Sequence, residues 1–434
     1  MDDTYLGQLP SRRWRLPRAG FPVGDVADTM SIEELRARLP SLIDGHVVLP
    51  ALVIKRSALT NNLGVMRMLT SQPGVSFAPH AKTTMAPQLM RLQLDAGACG
   101  VTVANVFQAS VARLAGARQI LIANEVVGDQ DIGWLARMTR DETTTVTVQV
   151  DSPEAVATLD GGLDRARLGE RQDVLIEVGH VGGRTGARDV KAALATADAI
   201  AGAVNLRLIG VATYEGVVGH DRETATLARV DDFLDGVKAI TIRLAERASF
   251  DGLDRVLVSA GGTRFVDRVV ERLAPGDWNG CEVNIIVRAG GYLTYGHEAG
   301  PNDTPFSTPR PFGQLVPVLE LWAEVLSLPE AGLAIVGVGK RNVGDRPGAI
   351  VPTQIVQRGG APGPTETMNA IAGQLTVTGL DDQHAYVTYR DMELRLGDLV
   401  GFSLPYPTTL DRWRVVPVVD ERYQIVDAVA TSFA

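Results

Sequence analysis

The 434-residue sequence predicts an α/β protein, a (β/α)8 (TIM) barrel followed by a mostly antiparallel β domain. Three observations support this prediction: eight short apolar runs in the first two-thirds of the chain, helix-like patterns between most of them, and a change to alternating runs after about residue 300. Runs without polar alternation are typical of parallel strands covered on both faces, and eight is the strand number of this barrel. We expect the barrel over residues 46–304 and the β domain over residues 1–45 and 305–434.

The predicted barrel strands are rich in valine, isoleucine and leucine. They are VSFAPH from Val75, GVTVAN from Gly100, QILIAN from Gln119, TVTVQVD from Thr145, DVLIEVG from Asp173, LRLIGVATYEG from Leu206, RVLVSAGG from Arg255 and EVNIIVRAGG from Glu282. Between two of them, Val190, Leu194, Ala197 and Ile200 recur near the period of a helix that buries one face. A doubly wound open sheet is the alternative, but it needs an edge strand and none of the runs resembles one.

The pattern changes at the proline-rich stretch PNDTPFSTPRPF, residues 301–312, which breaks any helix. Eight further short runs follow, β-branched or alternating and separated by Gly, Asp or Pro: LELWAEVLSL, GLAIVGVG, AIVPTQIV, GQLTVTGL, HAYVTYR, LVGFSL, WRVVPVVD and YQIVDAVAT. Alternation with turn residues between the runs is typical of antiparallel strands. The C-terminal third is therefore predicted to be a β domain.

Composition restricts the class of partner and the compartment. The chain has 51 acidic and 42 basic residues, a formal net charge of −9, which argues against nucleic acid or an anionic membrane as the partner. Its two cysteines lack the spacing of a metal motif or a disulfide framework. The first residues lack the apolar core of a signal peptide, and no run reaches the length of a membrane span. We expect a cytoplasmic protein that acts on a small molecule.

The stretch SFAPHAKTTMAP, residues 76–87, places a lysine where the first predicted barrel strand ends. Catalytic groups of such barrels lie at the carboxyl ends of the strands. His80 and Lys82 are two residues apart, so on a strand they point the same way, into the barrel mouth. Crowding by Phe77 and Met85 lowers the pKa of such a lysine and suits it to form a Schiff base. A solvated lysine at a strand end is the alternative.

Three later strand ends are rich in glycine. HVGGRTG holds Arg184, SAGGTRF spans residues 259–265, and VRAGGY ends at Tyr292. Main-chain N–H groups in such turns form a cradle for an anion, and barrels often bind phosphate on their last strands. Glycines also serve turn geometry, so one such turn alone decides little. A lysine together with two such turns indicates pyridoxal 5′-phosphate (PLP), because its aldehyde suits the amine and its phosphate suits the glycines.

Five motifs together resemble those of the fold-type III PLP enzymes, and within them the D-serine dehydratase and D-threonine aldolase group. They are PHAKT around Lys82, IEVGHVGGRTG around Arg184, YEG from Tyr214, SAGGT from Ser259 and RAGGY from Arg288. The resemblance implies an alanine racemase-like barrel with a β domain, a homodimer, and a Schiff base between Lys82 and PLP. It also implies contacts from Arg184 to the pyridine nitrogen, from Tyr214 to the cofactor, and from a phosphate-binding set: Gly261, Gly262, Thr263, Gly290 and Tyr292.

The same group binds a metal in its β domain through a His and a Cys or Asp, and this sequence departs from that pattern. The corresponding segment is LPYPTTLDRW, residues 404–413, in which the two ligand positions fall on Pro405 and Pro407. Proline has no donor atom for a metal, so we expect no zinc there. Tyr406 lies between the two prolines, where it either serves as an acid/base group or fills the space of the metal. His80 is a further acid/base candidate.

The leading hypothesis is a PLP-dependent lyase that acts on a small D-amino acid with a 3-hydroxyl group, by elimination or retro-aldol cleavage and without a metal. The alternative is a racemase or epimerase in which Lys82 and Tyr406 act on opposite faces of the cofactor. A non-catalytic PLP-binding protein is the third hypothesis, although the long β domain argues against it. A guanidinium such as that of Arg184 only donates hydrogen bonds, which makes transamination less favourable than these reactions.

Overall fold

The structure is a computed structural model that describes residues 41–44, 47–141, 143–167, 169–274, 276–297, 304–344, 350–357, 371, 373–404 and 407–433. These residues form one sheet of eight parallel strands and a second sheet of nine strands. Both parts of the predicted architecture, the barrel and the mostly antiparallel β domain, are confirmed.

Eight parallel strands form the barrel, in the spatial order β2-β9-β8-β7-β6-β5-β4-β3. They are β2 (Val75–Phe77), β3 (Val101–Val103), β4 (Gln119–Glu125), β5 (Thr145–Val150), β6 (Gln172–Val178), β7 (Leu206–Thr213), β8 (Val256–Ala260) and β9 (Val283–Val287). Each of them lies within one of the predicted runs or within a residue of it. The first and last strands in this order, β2 and β3, are the shortest. Contacts from β3 to the residues just after β2 join them.

These contacts lie just past the end of β2. His80 and Thr102 form an isolated parallel bridge, and the Thr102 N–H donates to the Pro79 carbonyl at 2.9 Å. The Thr102 hydroxyl donates to the Ala78 carbonyl at 2.7 Å. Because the two outer strands are joined in this way, the sheet closes on itself and the doubly wound open sheet is excluded.

Helices alternate with the barrel strands, and those that follow a barrel strand begin near the mouth. They are α1 (Arg56–Leu69), which precedes β2, and then α2 (Pro87–Asp95), α3 (Val106–Leu114), α4 (Asp129–Thr139), α5 (Pro153–Arg165), α6 (Val190–Gly202), α7 (Thr224–Glu246) and α8 (Val266–Leu273). Three of them start at side-chain caps: Asn105 accepts from the Gln108 N–H at 2.9 Å, Ser152 from Ala155 at 3.2 Å and Asp189 from Ala192 at 2.7 Å. Such caps end each strand and start each helix at a fixed residue.

The second sheet contains β1 and all strands after the barrel. They are β1 (Ala51–Lys55), β10 (Leu319–Glu330), β11 (Leu333–Val336), β12 (Val351–Val356), β13 (Leu375–Leu380), β14 (Ala385–Tyr389), β15 (Leu399–Ser403), β16 (Val415–Val419) and β17 (Ile425–Ala430), with the short helix α9 (Lys340–Val343) between two of them. β1 pairs antiparallel with β10 and parallel with β16. A segment that the division at residue 46 assigned to the barrel thus supplies a central strand of the β domain.

The interior of the barrel contains a small apolar cluster between polar layers. Leu121, Leu175, Ile209 and Ala212 form this cluster, separate from the larger cores that pack beneath the helices. Polar side chains lie near the amino ends of the strands, such as Thr145 and Asn284, and nearer the carboxyl ends, such as Gln149 and Glu177. Within the described residues, no helix has both the length and the apolar character that crossing a bilayer requires.

Candidate functional site

Lys82 lies at the carboxyl end of the barrel, on a turn rather than on a strand. β2 ends at Phe77, and residues Ala81–Thr83 form a short 3-10 helix directly after the bridge at His80. The prediction that His80 and Lys82 share one face of a strand is therefore wrong, because the strand has ended before either residue. They are nevertheless close enough to interact, since the charge of Lys82 contributes to lowering the pKa of His80.

The lysine at this turn is electrostatically unusual. Burial lowers the pKa of Lys82, and the positive charges of Arg184 and Arg288 lower it further. Its side chain nonetheless remains accessible from the open mouth of the barrel. The pKa of His80 lies well below its usual value, first because of burial and then because of Lys82, Arg288 and Arg184. A larger fraction of both groups is thus neutral near neutral pH than in water, as a nucleophilic amine requires.

Of the two glycine turns of the last strands, one borders the lysine turn and the other borders Tyr214. A Cβ atom added at Gly290 would lie 2.3 Å from the His80 carbonyl oxygen and 3.0 Å from Thr83 Oγ1. A Cβ atom at Gly262 would lie 2.9 Å from the ring of Tyr214. Gly261 has a φ of +114°, which a side chain rarely tolerates. Both turns therefore need glycine. At Gly290 the main chain contacts the turn that carries Lys82, and at Gly262 it contacts Tyr214.

The loop that carries Arg184 is held by its own side chains and main chain. Arg188 donates to the carbonyls of Thr185 at 2.8 Å and Gly183 at 3.0 Å, and also to that of Arg184. The Gly186 N–H donates to Asp151 Oδ2 at 3.0 Å. This arrangement places the Arg184 guanidinium carbon 4.8 Å from the centre of the Tyr214 ring. The two residues form a cation–π pair at the barrel mouth.

Four charged residues of the site were missed by the sequence-based prediction: Glu125, Glu177, Glu215 and Arg288. Glu177 and Glu215 are buried, and Arg288 is buried with one guanidinium nitrogen donating to the Thr213 carbonyl. Burial, followed by a hydrogen bond to Glu177 and its charge, raises the pKa of Glu125 to about 8. Their signal in the sequence is a charged residue at or just after the end of an otherwise apolar strand, as in QILIANE and VLIEVG.

Polar atoms without partners gather at this end of the barrel. Among the described residues, those that are buried and lack a hydrogen bond include His80 Nδ1, Gln149 Nε2, Glu177 Oε2, Glu215 Oε2 and Arg288 Nε. They come from the ends of five different strands. Buried polar atoms are ordinarily satisfied, so such a group indicates a site for a polar ligand. A cofactor with a phosphate, a phenolic oxygen and a ring nitrogen fits this donor and acceptor set, and PLP has all three.

Thr263 and Tyr292, both predicted to bind phosphate, occupy different surroundings. Thr263 is partly buried in the turn that follows Gly262. Tyr292 is 1% exposed, its hydroxyl donates to Gln93 of α2 at 2.9 Å, and its ring packs edge-on against Phe77. The side chain of Tyr292 is thus committed to the layer between the barrel and α2. Any contact from this residue to a ligand must come from its main chain.

The segment aligned with the metal site of the resembling enzymes lies beside the lysine turn. Tyr406 and Pro405 are outside the described residues, so the acid/base role predicted for Tyr406 stays a prediction. Residues Pro407–Arg412 form a 3-10 helix that packs against Ala81–Thr83. Among the described parts of the chain, no three His, Cys, Asp or Glu side chains are grouped in a way that could hold a metal ion.

The charge of Arg184 provides a test of this geometry. In the apo protein, Arg184→Gln is expected to raise the pKa of Lys82, because it removes a positive charge that disfavours the ammonium form. Reductive methylation of Lys82, followed by peptide mass spectrometry across a pH series, should become several-fold slower at neutral pH. The matched control is Arg207→Gln. Arg207 lies at the amino end of β7, away from the mouth, where it pairs with Asp173 at 2.6 Å. An unchanged pH profile in Arg184→Gln would place the guanidinium too far from the amine to act on it.

Two family models match the chain, one in each part of the fold. "Alanine racemase, N-terminal domain" matches residues 54–249, and "Putative serine dehydratase domain" matches residues 318–419. The first covers most of the barrel and includes Lys82, Arg184 and Tyr214. The second covers most of the β domain strands from β10 to β16.

Two curated relatives share part of the chain. The 3-hydroxy-D-aspartate aldolase of Paracoccus denitrificans (strain Pd 1222) is 28% identical over 234 residues, which are 52% of this chain and 57% of that protein. The D-threonine aldolase of Arthrobacter sp is 30% identical over 181 residues, 42% of this chain and 47% of that protein. The chain thus spans about half the length of the curated relatives it matches.

The fold extends further than the sequence match. The crystal structure of D-threonine aldolase from Filomicrobium marinum superposes with a TM-score of 0.69 at 24% identity, over 89% of this chain and 95% of that one. Identity at this level shows a shared fold. The barrel and the β domain therefore occur together in that protein as they do here.

Proposed function

We propose that this chain is a PLP-dependent lyase. It belongs to the fold-type III PLP family, and in it an alanine racemase-type barrel is followed by a serine dehydratase-type domain. Its substrate is a small D-amino acid with a 3-hydroxyl group, which it cleaves by elimination or by retro-aldol reaction. The observation that carries this proposal is the position of Lys82: an accessible amine with a lowered pKa, beside the Gly290 turn and a set of unpartnered polar atoms.

Residues of this chain would hold each part of PLP. The ε-amino group of Lys82 would hold the aldehyde end, and the turns at Gly261, Gly262 and Gly290 would hold the phosphate, with Thr263 and the main chain of Tyr292 beside them. Tyr214 and Arg184 contact the ring. When bound, PLP withdraws electrons from the substrate's Cα, which makes bonds to that carbon easier to break. Everything else in the reaction depends on how side chains of this chain place the substrate and move its protons.

Lys82 is suited to take up and return a proton once the substrate has displaced it. Its lowered pKa keeps a fraction of the amine neutral and able to accept a proton near the operating pH. His80, with its lowered pKa and unpartnered Nδ1, places an imidazole that is mostly neutral near this amine. The guanidinium groups of Arg184 and Arg288 only donate hydrogen bonds and therefore position groups without exchanging protons.

The substrate class is proposed from the relatives. The two curated relatives are named as aldolases of D-threonine and 3-hydroxy-D-aspartate, both D-amino acids with a 3-hydroxyl group. We propose that this chain works without zinc, because Pro405 and Pro407 occupy the positions of the expected ligands. We also propose that it acts as a cytoplasmic homodimer, as the resemblance implies.

Turnover of a panel of D- and L-amino acids tests the proposal. A lyase that eliminates water releases ammonia and a 2-oxo acid, whereas an aldolase releases glycine and an aldehyde from the same 3-hydroxy substrate. Inversion at Cα with deuterium uptake from D₂O, and no cleavage product, would establish the racemase instead. Binding of PLP with no turnover of any substrate would identify a PLP carrier. Added Zn²⁺ or Mn²⁺, and a chelator, should leave the rate unchanged; strong activation by either ion would overturn the metal-independent form of the proposal.

A further inference from the structure

Glu215 is a buried carboxyl group within the proposed phosphate site. It is 0% exposed and follows Tyr214 directly, on the 3-10 turn Glu215–Val217 after β7. The Gly262 N–H donates to its Oε1 atom at 2.9 Å. Its Oε2 atom is buried and has no hydrogen-bond partner among the described residues. One oxygen of the carboxyl group therefore holds the glycine turn, while the other is left for a ligand.

The residues next to Glu215 connect it to the rest of the site. The Thr213 hydroxyl donates to the Val178 carbonyl at 2.8 Å, and the Thr213 carbonyl accepts from Arg288. The Tyr214 ring lies under Arg184 and against Gly262. The main chain before Glu215 is thus fixed on three sides, and the Gly262 N–H holds the carboxyl group against the glycine turn.

The charge of this carboxyl group decides whether it helps or hinders an anion. A carboxylate beside a phosphate dianion repels it, whereas a carboxylic acid donates a hydrogen bond to it. Burial raises the pKa of Glu215, and the N–H groups of the turn and the charge of Arg288 oppose that shift. Glu177 also acts on Arg288, so Arg288 has a partner other than Glu215. The Tyr214 phenol also faces Glu215.

We propose that Glu215 is a phosphate-binding residue that acts as a neutral carboxylic acid: its Oε1 accepts the Gly262 N–H, and its Oε2–H donates to a phosphate oxygen of the cofactor. This inference rests on the proposed function, because it concerns the phosphate of PLP. It also assigns the Gly262 N–H to Glu215 rather than to the phosphate. The Gly262 N–H then holds the carboxyl group in place, and the O–H of the carboxylic acid donates to the phosphate instead of that N–H.

Calorimetric binding of pyridoxamine 5′-phosphate and of pyridoxamine to the apo protein tests this inference. Both ligands lack the aldehyde, so the measurement is independent of Lys82, and only one carries the phosphate. Glu215→Leu is expected to weaken binding of the phosphorylated ligand by roughly tenfold or more, the loss of one hydrogen bond to a charged group. Binding of pyridoxamine should change little. Glu215→Gln keeps an acceptor and a donor in the same places and should bind the phosphorylated ligand as the wild type does.

The pH dependence separates the acid from a merely structural side chain. As the pH rises and Glu215 ionises, the wild type should lose affinity for pyridoxamine 5′-phosphate relative to Glu215→Gln, whose amide does not titrate. Equal pH profiles for the two proteins would overturn the inference, as would a Glu215→Leu loss of the same size for both ligands. If Glu215→Leu does not fold, the comparison of Glu215→Gln with the wild type decides alone. Failure of the wild type to bind pyridoxamine 5′-phosphate or PLP would refute the proposed function itself.

Discussion

Replacement of Lys82 by alanine is expected to abolish turnover and leave the barrel folded. In the proposed function, the amine binds PLP and moves the Cα proton. Loss of a nucleophile that also serves as the acid/base group should reduce the rate by at least about 1000-fold. The visible absorption band of lysine-bound PLP should disappear at the same time. Lys82 is accessible and caps no core cluster, so circular dichroism and the melting temperature should change little.

Two further lysine variants make this result specific. Lys82→Arg keeps the positive charge but cannot form a Schiff base, because a guanidinium stays protonated in proteins. It should be as inactive as the alanine variant. Lys191→Ala removes an exposed lysine from α6 and should keep full activity and the absorption band. A Lys82→Ala protein that retained either the band or turnover would show that another residue carries the cofactor.

The strands of this protein could be predicted because a barrel strand packs apolar side chains at any position in the barrel. The helix α6 was predictable for the same reason, since Ala197 and Ile200 of its apolar period lie on the buried face, although Val190 of the same period is 41% exposed. These patterns are local, so a single sequence shows them. The closure of the barrel is also anticipated by strand number, although it depends on the bridge between His80 and Thr102, which join strands separated by a helix.

The charged residues around Lys82 could not be placed from the sequence in the same way. Arg288 is more than 200 residues from Lys82 in the chain, and only closure of the barrel brings its charge to the lysine. The expectation that apolar neighbours alone lower the pKa of Lys82 therefore omitted two arginines. The motif around Tyr292 identifies the turn but not the direction of the side chain. That side chain points outward because of its hydrogen bond to Gln93, which depends on the packing of α2. Side-chain direction follows from such tertiary contacts, which a motif does not contain.

Gly290→Ala is expected to disable the site through a steric effect on the lysine turn. The added methyl group would lie 2.3 Å from the His80 carbonyl oxygen, 3.0 Å from His80 Cβ and 3.0 Å from Thr83 Oγ1. A main-chain carbonyl cannot rotate away, so the turn that carries Lys82 must shift. Overpacking of this kind costs about 1–3 kcal/mol of stability. Because Lys82 and the phosphate-binding turn are then displaced relative to each other, PLP affinity should fall by roughly tenfold or more, which is about 1.4 kcal/mol.

The matched control is Gly64→Ala, because Gly64 lies inside α1 and an added Cβ there meets no atom within 4 Å. Alanine in a helix interior is more stable than glycine by about 0.5–1 kcal/mol, so this variant should melt slightly higher and bind PLP normally. Fluorescence titration with PLP and thermal unfolding measure both effects. Normal PLP affinity in Gly290→Ala would mean that the glycine turn and the lysine turn move together as the methyl group is accommodated. The positions of Lys82 and the phosphate-binding turn relative to each other would then be unchanged by the substitution.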